Sequence, residues 1–420
     1  MIETISLFPG ITLRCARDSR FKQAALSIQF VRPMTQEEAA LNALLPAVLL
    51  RGSGRYPNIR AITNRLDELY GASVGNIVRR VGDYQTTGFY CGFMEDRFAL
   101  AGDRILEPMM ALVRELLRNP LLENGVFRRD FVEGEKKNLL AVIEAERNDK
   151  RAYAASRMMR IMCREDSFGI PRLGDRESVG AITPEMLYAH YHRVLRESRV
   201  DLFYVGSAPA ETVAKALRPL FDGMDRAVAA LPEQTPYHAV EPGDHEETMD
   251  VAQGKLCMGF TTPVTLRSPE FVAMQLLNLI FGAGMTGKLF MNIREKLSLC
   301  YDIGSGYHGA KGILSVSAGI DFGEKDRVIR EIQAQLDACR EGQISDEELE
   351  SAKQALYSSI RGIHDSPGAI EGYYATGALS GLDLTPAQYR EAVEQASAAE
   401  VAAAARSLQL HTVYFLKGVQ

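Results

Sequence analysis

The residues best equipped for chemistry lie in one stretch, 281-FGAGMTGKLFMNIREKLSLCY-301, where a glycine-rich loop precedes Arg294 and Tyr301, seven residues apart. Arg294 offers a planar fork of N–H donors and Tyr301 a phenol, and both keep their protons at neutral pH. Residues 282-GAGMTGK-288 match G-x-G-x-x-G and most of a Walker loop, so a phosphate cradle is the first reading. That reading needs Ser or Thr after Lys288 to hold magnesium, and the chain has Leu289 there. It also needs a preceding strand, whereas Ser268-Pro269-Glu270 announces a helix: Ser as cap, Pro in the first turn, Glu at the positive end. The glycines read better as a tight connection between two helices, with positive φ permitted. On spacing alone, Arg294 and Tyr301 fit better as a surface arginine and a core tyrosine at a strand start.

The histidines form no metal-binding pair at helical spacing. His190 and His192 are two apart, which on a helix points them in different directions. His238, His245, His308, His364 and His411 are isolated and read as surface or core side chains. Cysteines 15, 91, 163, 257, 300 and 339 are scattered with no C-x-x-C, as buried thiols in a reducing cytoplasm would be. Glu133, Glu135, Glu144 and Glu146 read as solvated helix faces, with the lining of a peptide-binding cavity as the alternative.

The elements that must position these residues come in two sets. At 420 residues, with 46% hydrophobic and 24% charged side chains, the chain can bury two full cores. A net charge of −6 without long like-charge runs argues against nucleic acid or an anionic membrane as partner. No apolar run spans a bilayer and no secretory h-region is visible, so the expected compartment is the cytoplasm. In the first half, strands around 11-ITLRC and 25-ALSIQFV lead into a helix through residue 50, opened by a Thr35–Glu38 capping box. A turn 51-RGSGRYP-57, a helix over 58–73 and strands near 74–80 and 85–93 follow. The second half repeats the order: a strand at 255–261, a helix over 271–281, the glycine loop, a second helix, and strands at 302–307 and 313–320.

The later elements match as well. One long helical stretch, 128–154, precedes a helix at 184–194 and a strand at 200–206; another, 345–377, precedes a helix at 397–408 and a strand at 412–418. Aligning Asp149 with Asp365, or Gly206 with Gly418, gives offsets of 216 and 212 (365 − 149 and 418 − 206), which points to duplication. The expected fold is α+β, two duplicated domains each with a largely antiparallel sheet packed with helices, over 1–229 and 248–420, joined by a proline-rich linker at 230–247.

Over essentially its whole length the chain resembles the insulinase/pitrilysin (inverzincin) metallopeptidases. The turn 51-RGSGRYP-57 after an apolar helix, 282-GAGMTGKLF-290 with 294-REKLSLCY-301, and strands ending at Gly206 and Gly418 carry the resemblance. It implies a duplicated fold like that of the mitochondrial processing peptidases. Active members carry H-x-x-E-H on the first long helix, two zinc-binding His one turn apart with a Glu that activates water. Placed by the Arg-Gly-Ser turn, that motif falls on 43-ALLPA-47, so Ala43 and Ala47 replace the histidines and Pro46 the general base. The third zinc ligand falls on Val142 within 135-EKKNLLAV-142; Glu144 lies two residues on but has no histidines to complete.

The family's second signature is retained. There an Arg and a Tyr hold the substrate carbonyl where negative charge develops, and Arg294 and Tyr301 stand at that spacing. The patterns 66-LDELYGAS-73 and 149-DKRAYA-154 resemble bacterial zinc-less members, some named as elongation factor P aminopentanol-modification-associated proteins, that accompany a zinc-bearing paralogue. The resemblance implies a pseudo-peptidase with no cofactor of its own. It would contact a peptide substrate through Arg294 and Tyr301 in trans, beside zinc held by the paralogue.

Overall fold

The computed structural model describes residues 2–237 and 240–418; His238, read above as isolated, lies outside them. Eleven main strands form two sheets among the described residues. The first contains β1 (Ile2–Phe8), β2 (Ile11–Arg17), β3 (Gln23–Pro33), β4 (Ser73–Val81), β5 (Tyr84–Met94) and β6 (Arg199–Gly206), in the order β1-β2-β6-β3-β5-β4. The second contains β7 (Gly243–Thr248), β8 (Gly254–Thr261), β9 (Asp302–His308), β10 (Ile313–Ile320) and β11 (Gln409–Lys417), in the order β7-β11-β8-β10-β9. Each sheet has one parallel pair, β2 with β6 and β7 with β11, and is otherwise antiparallel. Apart from β1 the two orders are the same topology, so the α+β reading with largely antiparallel sheets holds.

The helices used below are α1 (Ala39–Leu49), α2 (Ile59–Glu68), α3 (Leu106–Arg118), α4 (Arg129–Asn148), α5 (Lys150–Met162), α6 (Pro184–Glu197), α7 (Phe271–Asn278), α8 (Asp346–Gly362) and α9 (Pro367–Ser380). α3 buries Met109, Leu112, Val113 and Leu116 on one face, the pattern of a helix half in water. α1 is apolar nearly all round and buries ten of its eleven residues, so it runs through the core. Polar N-caps set where helices begin: Asn58 accepts from the Ala61 N–H, and Thr183 caps α6 with Pro184 in its first turn. Asp149 accepts from the N–H groups of Arg151 and Ala152, and there the stretch read as one helix over 128–154 breaks into α4 and α5.

Two predicted caps behave differently. Thr35 Oγ1 does accept from the Glu38 N–H (3.3 Å), but the Glu38 carboxylate turns to Arg32 instead of closing a capping box, and α1 starts at Ala39. Ser268 accepts from the Thr265 N–H in a turn, and α7 begins at Phe271 without a side-chain cap.

The two compact units are not the contiguous halves 1–229 and 248–420. Unit 1 comprises residues up to Ile143, Pro171–Glu233 and His364–Leu379; unit 2 comprises Glu144–Ile170, Gln234–Ile363 and the chain from Ser380 onward. The stretch read as a linker, 230–247, contains the start of β7. Within unit 1, α9 is fixed by Glu371, whose buried carboxylate accepts from Ser27 Oγ (2.6 Å), Gln29 Nε2 (3.0 Å) and both terminal nitrogens of Arg79 (2.9 and 3.0 Å). Within unit 2, α5 packs Ala154, Met158 and Met162 against Cys257 and Tyr414, and the following segment is held by a buried Lys311–Asp166 ion pair (2.9 Å).

Candidate functional site

The positions that the resemblance assigns to zinc lie in unit 1. Ala43 is 4% exposed, Pro46 is buried and Ala47 half-buried, while Val142 is 50% exposed on α4. None of these side chains carries a donor atom for a metal. Among the described residues no group of three His, Cys, Asp or Glu is placed to hold a metal ion. Pro46 has no N–H, so the Asn42 carbonyl one turn back loses its helical partner. Thr87 of β5 fills the gap: its Oγ1 donates to Asn42 O at 2.6 Å in a buried setting. A proline in the middle of a helix is the sequence signal that such a donor must exist.

The same turn of α1 carries a directed polar chain. Arg193 Nη2 donates to His190 Nδ1 (3.1 Å), which leaves Nε2–H to donate to Asn42 Oδ1 (2.8 Å). Asn42 Nδ2 then donates to Gln85 Oε1 (2.9 Å), and Gln85 Nε2 to the carbonyls of Ala39 and Arg172. Burial presses the His190 pKa down to about 4, with the Glu38 carboxylate pulling the other way and Arg32 and Arg193 adding to the lowering. His190 is thus a neutral, satisfied core histidine, and His192 packs edge-on against Tyr188. Glu144 and Glu146 are exposed as expected, but Glu135 is not a solvated carboxylate: it pairs with Arg51 of the Arg-Gly-Ser turn at 3.2 Å.

Arg294 and Tyr301 lie in unit 2. A π-helical turn, Leu279–Ala283, ends α7, and Arg294 sits on a second π-helical segment, Leu289–Lys296, in which the Leu297 N–H reaches back five residues to Asn292 O. Wide π-type turns in proteins concentrate at functional sites. Leu289 and Ile293 are fully buried, which turns Arg294 outward. Its guanidinium stacks over the Phe290 ring (4.6 Å) and, among the described residues, pairs only with the neighbouring Glu295 carboxylate, at 3.5 Å. Ser298, at φ +52, closes the segment in a left-handed conformation uncommon for a residue other than glycine.

Tyr301 is 61% exposed, so it is not a core tyrosine. Its hydroxyl donates to Asp321 Oδ1 at 3.2 Å, and that carboxylate raises the phenol's pKa, keeping the proton in place at neutral pH. β9, an edge strand of its sheet, starts at the next residue. Tyr301 therefore stands at the start of an edge strand, and Arg294 lies on the π-helical segment that packs against that strand. Buried Cys300 between them has its thiol pushed up to about 11 by burial, which makes it a poor nucleophile.

The glycine loop does not cradle phosphate. Lys288 Nζ is committed to Glu348 of α8 at 2.7 Å, and a π-helical turn precedes the loop where a strand would be needed. Gly282, Gly284 and Gly287 all avoid positive φ, contrary to expectation. They serve close approach instead: a Cβ on Gly287 would come within 3.1 Å of the Gly282 Cα and of two backbone carbonyl oxygens.

Residues 181–356 match the family model described as Peptidase M16 inactive domain. The chain is 28% identical over 411 residues to the probable inactive metalloprotease YmfF of Bacillus subtilis, covering 98% of this chain and 96% of that protein. A conserved protein from Enterococcus faecalis superposes with a TM-score of 0.92 at 27% identity, covering 100% of this chain and 99% of that one. A peptidase M16 inactive domain from Pseudomonas fluorescens shares the fold, with a TM-score of 0.82 at 17% identity over 100% of this chain and 98% of its own. With its duplicated sheets, a first helix devoid of zinc ligands and whole-length relatives of this kind, the chain is similar throughout its length to inactive homologues of the insulinase/pitrilysin (M16) peptidases.

Proposed function

We propose that this chain is the non-catalytic subunit of a heteromeric zinc peptidase and lends Arg294 and Tyr301 to a peptide bound beside the zinc of a paralogue. One observation supports the reading: both side chains are exposed, Tyr301 directly before an edge strand, and neither is consumed by a buried partner. The paralogue's zinc would supply the activated water. Arg294 would hold the scissile carbonyl with its N–H fork, and Tyr301, released from Asp321, would donate a second hydrogen bond as the oxygen gains charge.

Co-expression with the zinc-bearing paralogue tests this. The expected result is a complex that carries zinc and cleaves peptides, while this chain alone does neither. Arg294→Ala is expected to lower the complex's kcat/KM by about 100-fold without dissolving the complex, the scale seen for loss of one oxyanion donor. A complex that does not form, or one indifferent to R294A, overturns the proposal.

A second reading, a peptide-binding clamp without peptidase chemistry, draws on unit 1. There the edge strand β4 borders an open trough of about 630 Å³ floored by Tyr90, Arg79 and Glu371. An exposed strand edge can take up an extended peptide through its backbone. Peptide binding by the isolated chain, undiminished by R294A, would favour it.

A further inference from the structure

Unit 1 contains a second concavity that neither reading uses. The 53–56 turn, α2 and α3 enclose a cavity of about 310 Å³ whose walls carry three arginines, Arg55, Arg65 and Arg114, against one carboxylate, Glu115. The volume is at the lower end of small-molecule sites. We propose that this cavity binds a small oxyanion ligand, a phosphate ester or a polycarboxylate, through the guanidinium groups of Arg55 and Arg114.

The charge balance supports an anion. Glu115 is already engaged: Oε1 accepts from the Arg55 backbone N–H (2.9 Å) and Oε2 from Asn119 Nδ2 (2.6 Å). The Arg55 guanidinium faces the Tyr56 ring at 5.5 Å and helps hold the Glu115 carboxyl below its usual range, but forms no ion pair among the described residues. Arg114 makes no hydrogen bond or ion pair among the described residues. Arg65 pairs with Glu68 at 2.8 Å, but Glu68 is 64% exposed, so solvent screens that pair. The whole chain carries −6, so this is a local inversion of the protein's charge.

The wall is also held in place before any ligand arrives. Ser53 N–H donates to Tyr56 O (2.7 Å), Tyr56 N–H to Ser53 Oγ (3.1 Å), and Gly54 N–H to Asn119 O (2.9 Å). With the Arg55 N–H on Glu115, four backbone donors across Ser53–Tyr56 latch the turn to itself and to the end of α3. Binding then orders little beyond two side chains. Guanidinium forks match the paired oxygens of carboxylate and phosphoryl groups, and Leu112 and Tyr56 give an apolar wall for the rest of the ligand.

Calorimetric titration of the full chain at low salt with pyrophosphate, and separately with citrate, tests the site without peptidase or partner. The expected result is saturable one-to-one binding, weakened about tenfold or more in R55Q/R114Q. The charge-matched control R60Q/R104Q, exposed and outside the cavity, should bind like the wild type. Binding of pyrophosphate alone identifies a phosphoryl ligand, and of citrate alone a carboxylate ligand. No saturable binding of either, or equal weakening in both double variants, overturns the proposal.

Discussion

The turn of α1 at Ala43–Ala47 and the Leu289–Tyr301 segment, the two places to which the resemblance assigns one family signature, differ in opposite physical directions. Around α1 the polar atoms are buried and matched: Thr87 answers the carbonyl freed by Pro46, and Arg193, His190, Asn42 and Gln85 pass hydrogen bonds in one direction. Around Arg294 the backbone is wound in wide turns, Ser298 is left-handed, and the two polar side chains stand in solvent with only local partners. A region that has exchanged chemistry for packing shows satisfied buried groups. The Arg294 segment, on the proposed function a contact surface, shows exposed donors on unusual backbone. Substitutions should therefore separate the two, with stability lost at the first and only interaction lost at the second.

The largest effect is expected at Asn42, the hub of the buried chain. Asn42→Ala strands Gln85 Oε1 and His190 Nε2 in the core and opens a small cavity, for a loss of about 3–5 kcal/mol in chemical denaturation. A loss below about 1 kcal/mol would mean that the chain is not cooperative. Next comes pH. The folded His190 pKa, about 4, lies below the ordinary value of 6.5, so the unfolded state binds the extra proton first. Stability from this group is complete above pH 6.5 and declines as pH falls toward 4, by on the order of 3 kcal/mol over the window. Denaturation midpoints of wild type and H190Q between pH 6.5 and 5 should differ in slope; parallel curves would remove His190 from the account.

A smaller and more specific effect is expected at Thr87. Thr87→Val keeps the shape but takes the donor from Asn42 O, at a cost of about 1–2 kcal/mol. In a Pro46→Ala background the restored N–H of residue 46 can serve that carbonyl, so the same Thr87→Val should cost measurably less. Equal costs in both backgrounds would show that Thr87 and Pro46 are independent.

Much of this molecule is legible in its sequence because period and punctuation are local signals. Strands, helices and the duplication follow from alternation, caps and spacing, while the absence of zinc ligands at Ala43, Pro46, Ala47 and Val142 is what the family resemblance implies. The membership of the units does not: α5 packs in unit 2 and α9 in unit 1. Apolar residues at helical spacing say that a face is buried, not which sheet buries it. Glu371 escaped notice for the same reason, since Ser27, Gln29 and Arg79 are distant in sequence. The π-helical turns were invisible because no residue type enforces them, and Thr35 announced a capping box whose Glu38 found a stronger partner in Arg32. At the site, the resemblance singled out Arg294 and Tyr301, but only exposure distinguishes an exposed tyrosine from a core one.

That distinction gives the smallest expected change and the most discriminating one. Arg294 loses a stacking contact with Phe290 and a 3.5 Å approach to Glu295 on truncation, while Tyr301→Phe loses one exposed hydrogen bond to Asp321. Exposed contacts of this kind are worth little, so R294A and Y301F should each shift the unfolding free energy by less than about 0.5 kcal/mol. A larger cost at either position would mean that the segment is retained for folding, and the contrast with α1 would collapse. Near-zero cost, set beside the loss at Asn42, would mean that folding places no demand on these two side chains and that whatever maintains them acts through what they touch.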